Sequence, residues 1–433
     1  MAATTATAEL PAHDRPEPLR SVRRAVPAFV WLWIATRVLL LVVSLNPRLY
    51  STDLYGDVRA YGAKAERIFQ GELPYRDVAI EYPPGSVPFT LVPGLVVGTG
   101  ASYRLAFVVE MILVDALGLY AAWRLARAGD RGRRRIPLAY TLGMLAVGPL
   151  LLLRFDLVPA VCVLLAVALA AEGRAGPSAA ALGYGAAAKL FPAVLAPLLV
   201  LGLVPTLGWL RSLRRTVPPF LLGFGLTVVP ALVVSATGTL DSLLYHVRRG
   251  VQIESLPANL IDLAHLVLGL QARSVHGFGA FDLDSSVSGT MKLVSTVATM
   301  AALAGAAWLV YWHSSRSGGL GPGDWAAVFA IGVFAFVLPT RVLSPQYMVW
   351  LVAPVAGLAG RRLGRGALWV LVVAAVLSQL EFPFRYSQLR HLDWIDVGVL
   401  TCRNLLLVLA CALVVRTFVA GAGVPPAAGR KAP

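Results

Sequence analysis

The feature that most limits the fold of this chain is a succession of apolar runs, each separated from the next by short clusters of arginine. The first extends from Val26 to Leu45, and a helix of ~20 apolar residues covers the ~30 Å hydrocarbon layer of a bilayer. Further runs lie near 103–125, 136–153, 157–171, 216–236, 287–312, 325–340, 346–360, 366–380 and 396–416. Lipid offers no hydrogen bonds, so each backbone N–H and C=O must be paired within its own segment. The expectation is an all-α polytopic membrane protein of about 10–13 membrane helices, short or re-entrant ones included. A soluble fold is excluded: 57% of the residues are hydrophobic and 14% charged, against about 25% charged in soluble domains.

The net charge of +15 comes from basic clusters between the runs: Arg20, Arg23 and Arg24; Arg124 to Arg135; Arg211, Arg214 and Arg215; Arg361, Arg362 and Arg365. Such clustering marks loops that stay on the cytoplasmic side of the plasma membrane, not a groove for nucleic acid. Carried along the chain, this rule puts both termini inside, as tails at 1–25 and 418–433. Between them, 26–417 reads as a single integral domain whose first outer loop is 47–85. The run 86–99 is too short to cross and predicts a tilted or re-entrant helix. Segment 178–205 is broken at Lys189-Leu190-Phe191-Pro192 and predicts a re-entrant hairpin. The polar, motif-like loops then all fall on the outer face. Cys162, Cys402 and Cys411 lie in apolar stretches without metal-ligand spacing and read as small core residues.

The outer loop is the densest acidic stretch, with six acids and four bases between Thr52 and Gly85. Asp57 and Tyr61 are one helical turn apart and share a face if this stretch is helical, with Asp53 a turn earlier. A carboxylate above a membrane cavity can act as a general base, or hold a divalent cation together with Asp53. The alternative is a solvated acid paired with Arg59 or Arg48. The EYPP at Glu81 to Pro84 fixes a rigid turn that presents Glu81 and Tyr82. His246, Arg248, Arg249 and Glu254 follow within YHVRRGVQIES; arginine matches phosphate oxygens and histidine exchanges a proton near neutral pH. Inside apolar runs, Arg37, Glu110, Asp115, Lys189 and Arg341 are expensive unless paired or facing a wet cavity, and Arg37 has Glu110 or Asp115 as a partner. Lys189 and Arg154 sit near turns from which they could snorkel.

Taken in chain order, D-x-x-x-Y, GELPYRDVAIEYPPG, RFDLVPA, AAAKLFPAVLAPLL, YHVRRGVQIES and LSPQYMVWL resemble glycosyltransferase family 87 of the GT-C superfamily. The resemblance implies an inverting transferase that moves a sugar, typically mannose, from a polyprenyl phosphate donor to a hydroxyl of an envelope glycolipid or glycan at the outer face. By the same resemblance Asp57 is the loop base, with His246 in the catalytic set. Arg248, Lys189 and Arg154 are implied at the donor phosphate. Asp53, Tyr61, Glu81, Tyr82, Asp156, Glu254, Gln346 and Arg341 are implied to bind or support substrate. No cofactor and no metal site are expected, since the loop lacks two carboxylates one residue apart. The alternative function is a transporter or flippase for lipid-linked sugars, which would also need intramembrane charges; sites collected on one face disfavour it, because alternating access places them near the midplane.

Overall fold

The computed structural model describes residues 27–46, 48–49, 52–129 and 134–420; the side chains of Thr52, Asp53, His246 and Val247 lie outside the description. Of the expected tails at 1–25 and 418–433, residues 1–25 and 421–433 fall outside the described residues, while 418–420 belong to the last helix and not to a tail.

The chain is an all-α polytopic membrane protein. In order come α1 (Ala28–Leu45), α2 (Gly56–Phe69), α3 (Val87–Val97), α4 (Tyr103–Ala128), α5 (Arg135–Ala146), α6 (Leu150–Leu153), α7 (Leu157–Ala171), α8 (Ala175–Ala188), α9 (Ala196–Leu207), α10 (Trp209–Val234), α11 (Ala236–Arg248) and α12 (Leu256–Leu268). A hairpin of β1 (Ala272–Gly277) and β2 (Ala280–Ser285) intervenes. Then follow α13 (Ser288–Ser317), α14 (Pro322–Val337), α15 (Met348–Ala356), α16 (Arg362–Gln379), α17 (Tyr386–Arg390) and α18 (Trp394–Ala420). Among the described residues, six helices are long and apolar enough to cross a membrane: α1, α4, α10, α13, α16 with the turn after it, and α18. Five shorter apolar segments fill the spaces between them.

Two departures from an all-helical reading stand out. The hairpin pairs antiparallel from Ala272↔Ser285 to Gly277↔Ala280, and the segment after α11 adds a third, short edge: Leu283 N donates to Val251 O at 2.8 Å and Ile253 N to Phe281 O at 2.9 Å. This backbone lies between apolar segments, where pairing across segments is available. The small cluster beneath it, including Val251, Ile253, Ile261, Leu283, Leu389 and Leu400, is separate from the main core. Of the three cysteines, Cys402 is exposed on α18, not buried.

Helix α8 shows how composition sets packing. Its sequence AGPSAAALGYGAAA has almost no side-chain bulk, so α10 approaches closely: a Cβ on Gly183 would meet Phe220 O at 2.1 Å, and one on Gly223 would meet Ala180 O at 2.2 Å. Small residues are the usual means of close helix contact in lipid. Helix α8 stops at Lys189, whose backbone is extended (φ −158°, ψ 131°), and a 3-10 turn over Phe191–Leu195 leads into α9. The break expected at Lys189-Leu190-Phe191-Pro192 is present, between α8 and α9. With 14 and 15 residues, α8 and α7 are only ~20 Å long, well short of a bilayer core.

The buried charges of α1 and α4 are a structural pair. Arg37 Nε lies 2.6 Å from Asp115 Oδ2, and Tyr140 donates to the other oxygen at 2.7 Å. Trp33 Nε1 also donates to Asp115. Arg37 is 2% exposed and Asp115 fully buried, so this knot satisfies a charge that would otherwise be costly in lipid. Glu110 takes no part in it.

Candidate active site

A cavity of about 520 Å³ collects side chains from seven separate stretches: α2 and the turn after it, the α6–α7 corner, the α8 break, the segment 245–254, the hairpin tip, and residues 344–347 and 382–390. The loops expected on one face therefore meet in one space. Of the residues proposed from sequence, Asp57, Tyr61, Glu81, Tyr82, Arg154, Lys189, Glu254 and Gln346 line it.

Asp57 sits in the first turn of α2. Its Oδ2 is 2.9 Å from Arg154 Nε, a cation that a pairing with Arg59 or Arg48 did not anticipate. Arg154 also donates through Nη1 to Leu54 O (3.0 Å) and Leu153 O (3.1 Å). At 5% exposed it does not snorkel; it ties the acid loop to the α6–α7 corner. Tyr61, one turn beyond Asp57, packs against Phe107 and Phe155, with ring centroids 5.4 and 6.0 Å away. Its hydroxyl is buried without a partner. Burial, with help from Tyr82 and Asp57, pushes the Tyr61 phenol well above its usual range, so it stays an O–H donor.

Lys189 occupies the centre of the floor. Its Nζ is 2.7 Å from Asp156 Oδ1, and the rings of Tyr82, Phe155, Tyr347 and Trp350 surround it at 5.1 to 5.5 Å. Like Arg154 it is buried, not snorkelling. Asp156 lies beneath the cavity and anchors Lys189 from below. Gly85 brings the EYPP turn to this point: a Cβ there would meet the Ala187–Ala188 backbone at 2.6 Å, so only glycine allows Tyr82 to reach the end of α8. Glu81, at the rim, pairs with Lys64.

Two expected residues are placed differently. Arg248 is the last residue of α11, about 60% exposed and paired with Asp241 at 2.9 Å; it is outside the lining. Arg249, the first residue off the helix, turns inward and is 7% exposed. Arg341 is not part of the lining either; its carbonyl accepts from Gln252 N at 2.9 Å and so joins two wall segments. The side chains of His246 and Asp53 lie outside the description.

Sequence reasoning named Arg249 beside Arg248 but put the clamp on Arg248, and it missed Gln252, Ser344, Tyr347, Tyr386, Arg390 and the hairpin tip His276–Phe281. Gln252 Nε2 donates to Ser344 Oγ at 2.9 Å and to Glu254 Oε2 at 3.0 Å. The hairpin had a signal in its Phe278-Gly279 turn between alternating strands, with φ of +52° and +69°, values typical of a two-residue hairpin turn. Counted around the cavity, the cations are Arg59, Lys64, Arg154, Lys189, Arg249 and Arg390, and the carboxyl groups Asp57, Glu81 and Glu254. A pocket with this balance concentrates anions. Among the described residues, no group of three His, Cys, Asp or Glu could hold a metal ion.

No family model and no curated protein matches the chain. Among solved structures it is similar to ArnT from Cupriavidus metallidurans bound to undecaprenyl phosphate, at 18% identity and a TM-score of 0.49, covering 91% of this chain and 78% of that one. It is also similar to the apo state of the same protein, at 18% identity and a TM-score of 0.44, covering 90% and 77%.

Proposed function

We propose that this protein is an inverting glycosyltransferase that moves a sugar, mannose by the resemblance of its motifs, from a polyprenyl phosphate to a hydroxyl of an envelope glycolipid or glycan. The observation that carries the reading is the cavity itself: one loop carboxylate, Asp57, shares a space with six cations at the end of two helices too short to cross a bilayer. A lipid-borne phosphate needs a cationic pocket at membrane depth, and a sugar acceptor needs a base beside it.

In the proposed step the acceptor oxygen attacks the anomeric carbon and forms the new C–O bond. The bond from that carbon to the phosphate oxygen breaks, its electron pair leaving with the polyprenyl phosphate, and the hydroxyl proton passes to Asp57. A positioned base contributes about 10²- to 10⁴-fold. Lys189, Arg249 and Arg154 face the charge that grows on the departing phosphate, and preorganised donors at such a charge are worth a similar amount. Gln346, with Tyr61 behind it, holds sugar oxygens in this reading. The site faces the outside of the plasma membrane in this reading, as the arginine distribution directs.

Purified protein incubated with a panel of polyprenyl phosphate sugars and extracted envelope lipids should release polyprenyl phosphate and glycosylate one lipid class. Absence of transfer from every donor, with lipid-linked sugar moved across vesicles instead, would replace the reading by the transporter.

A further inference from the structure

Glu254 is the one carboxyl group of the cavity without an ion pair among the described residues. Asp57 has Arg154 and Glu81 has Lys64. Glu254 is 1% exposed; its Oε2 accepts from Gln252, and its Oε1 is buried with no partner. Arg403 on α18 donates to the Glu254 backbone carbonyl at 2.8 Å instead of to the carboxyl group. Behind it lie two more buried acids. Glu381 is 3.8 Å from the same Arg403, and Asp262 on α12 has neither oxygen hydrogen-bonded. Glu254 and Glu381 thus share Arg403, with Arg249 on the cavity side of Glu254, and Asp262 has no ion pair among the described residues. Ionising all three would leave uncompensated charge out of water, at a cost of several kcal/mol per ion, so at least one keeps its proton.

The charged and titratable groups facing Glu254 are Arg249 on its own segment, Glu381 and Tyr386 from the turn after α16 and from α17, Tyr347 ahead of α15, and Arg403. Burial pushes Glu254 up to about 8, and Glu381 adds to this; Arg403, Arg249 and Gln252 act in the other direction without overcoming it. Burial also raises the phenols of Tyr347 and Tyr386. Arg249 shares this wall, and Lys189 stands on the other side of Tyr347, whose ring it approaches to 5.2 Å. An anion arriving here would be repelled by a carboxylate and bound by a carboxylic acid.

We propose that Glu254 works un-ionised, donating a hydrogen bond from Oε1–H to a phosphoryl oxygen of the polyprenyl phosphate. It is a donor-binding residue whose proton is retained through the reaction, which leaves Asp57 alone to take the acceptor's proton. This rests on the transferase reading. It adds a consequence that the cations alone would not produce: donor affinity is lost as Glu254 ionises. The donor's own approach favours the protonated state, because a neighbouring anion disfavours ionisation.

The test is the affinity of the purified full-length protein for farnesyl phosphate across pH, compared between variants so that the ligand's own ionisation, near pH 6, cancels. In the native protein the binding-competent fraction falls about tenfold from about pH 7 to about pH 9, and Kd rises to match. Glu254→Gln keeps a neutral donor and should bind with the same affinity as the native protein at pH 7, without the alkaline loss. Glu254→Ala should bind weakly at every pH. Should Glu254→Ala fail to fold, the glutamine comparison decides alone. An alkaline loss in Glu254→Gln equal to that of the native protein would overturn the proposal while leaving the transferase reading intact. No binding of farnesyl phosphate at any pH would remove both.

Discussion

Replacing Lys189 by methionine separates what this lysine does for the fold from what it does for the donor. At 2.7 Å from Asp156 Oδ1, the pair attracts by ~6 kcal/mol at an effective dielectric of about 20, offset by the desolvation of both ions. Methionine retains the length and the sulfur–ring contacts inside the cage of Tyr82, Phe155, Tyr347 and Trp350. The single change therefore removes charge more than packing. It leaves Asp156, 1% exposed and with Oδ2 already unpartnered, as an isolated buried carboxylate, and breaking such a pair costs about 3–5 kcal/mol. Adding Asp156→Asn should recover at least ~2 kcal/mol of that loss, because the remaining group is neutral. Thermal unfolding followed by tryptophan fluorescence reads the stability of both variants, and farnesyl phosphate binding reads the site. Stability should return in the double variant while donor affinity stays at least about tenfold down, the worth of one charge-assisted hydrogen bond. If the double variant were as unstable as the single, the cage and not the charge would be the source of the loss. If it bound donor normally, Lys189 would not touch the phosphate.

Three further outcomes are expected. Asp57→Asn should leave folding intact and reduce transfer by about 10²-fold or more, whereas Asp53→Asn should keep turnover; the reverse result would move the base. Arg249→Ala should weaken donor binding by about 10- to 100-fold, with only partial rescue by lysine, whereas Arg248→Ala, which breaks only an exposed pair with Asp241, should change affinity less than about fivefold. In a background lacking Cys162, Cys402 and Cys411, single cysteines at Gln346 and His391 should react with an impermeant reagent from outside and those at Arg214, Arg316 and Arg362 should not; labelling of both groups from one side would invalidate the proposed orientation.

The hydropathy pattern made the long helices legible, because a bilayer leaves little choice between an apolar run and a span. The break at Lys189 was legible for a related reason: a charged residue followed by Leu-Phe-Pro cannot continue a membrane helix cheaply. Asp57 and Tyr61 could be put on one face by spacing alone. Their partners could not. Arg154 reaches Leu54 O across 100 positions, and Arg403 reaches Glu254 across 149, contacts for which local pattern carries no signal. The choice between Arg248 and Arg249 turned on where α11 ends, and successive residues at a helix terminus point in quite different directions. The hairpin escaped because a generally apolar chain drew attention to period and length, while a six-residue strand pair depends on its turn.

The crossing of α8 over α10 bears on how substrates come and go. Gly183 and Gly223 bring the two backbones together directly below the floor that carries Lys189, and interdigitated main chains of this kind resist sliding, since any shift drives a carbonyl into a neighbouring Cα. The post supporting the site is therefore stiff. A machine that rocks one half against the other would need a compliant seam at that level, and here the two backbones are in direct contact. On the proposed transferase reading, donor, acceptor and spent lipid would use the mouth of the cavity and the gaps between neighbouring helices.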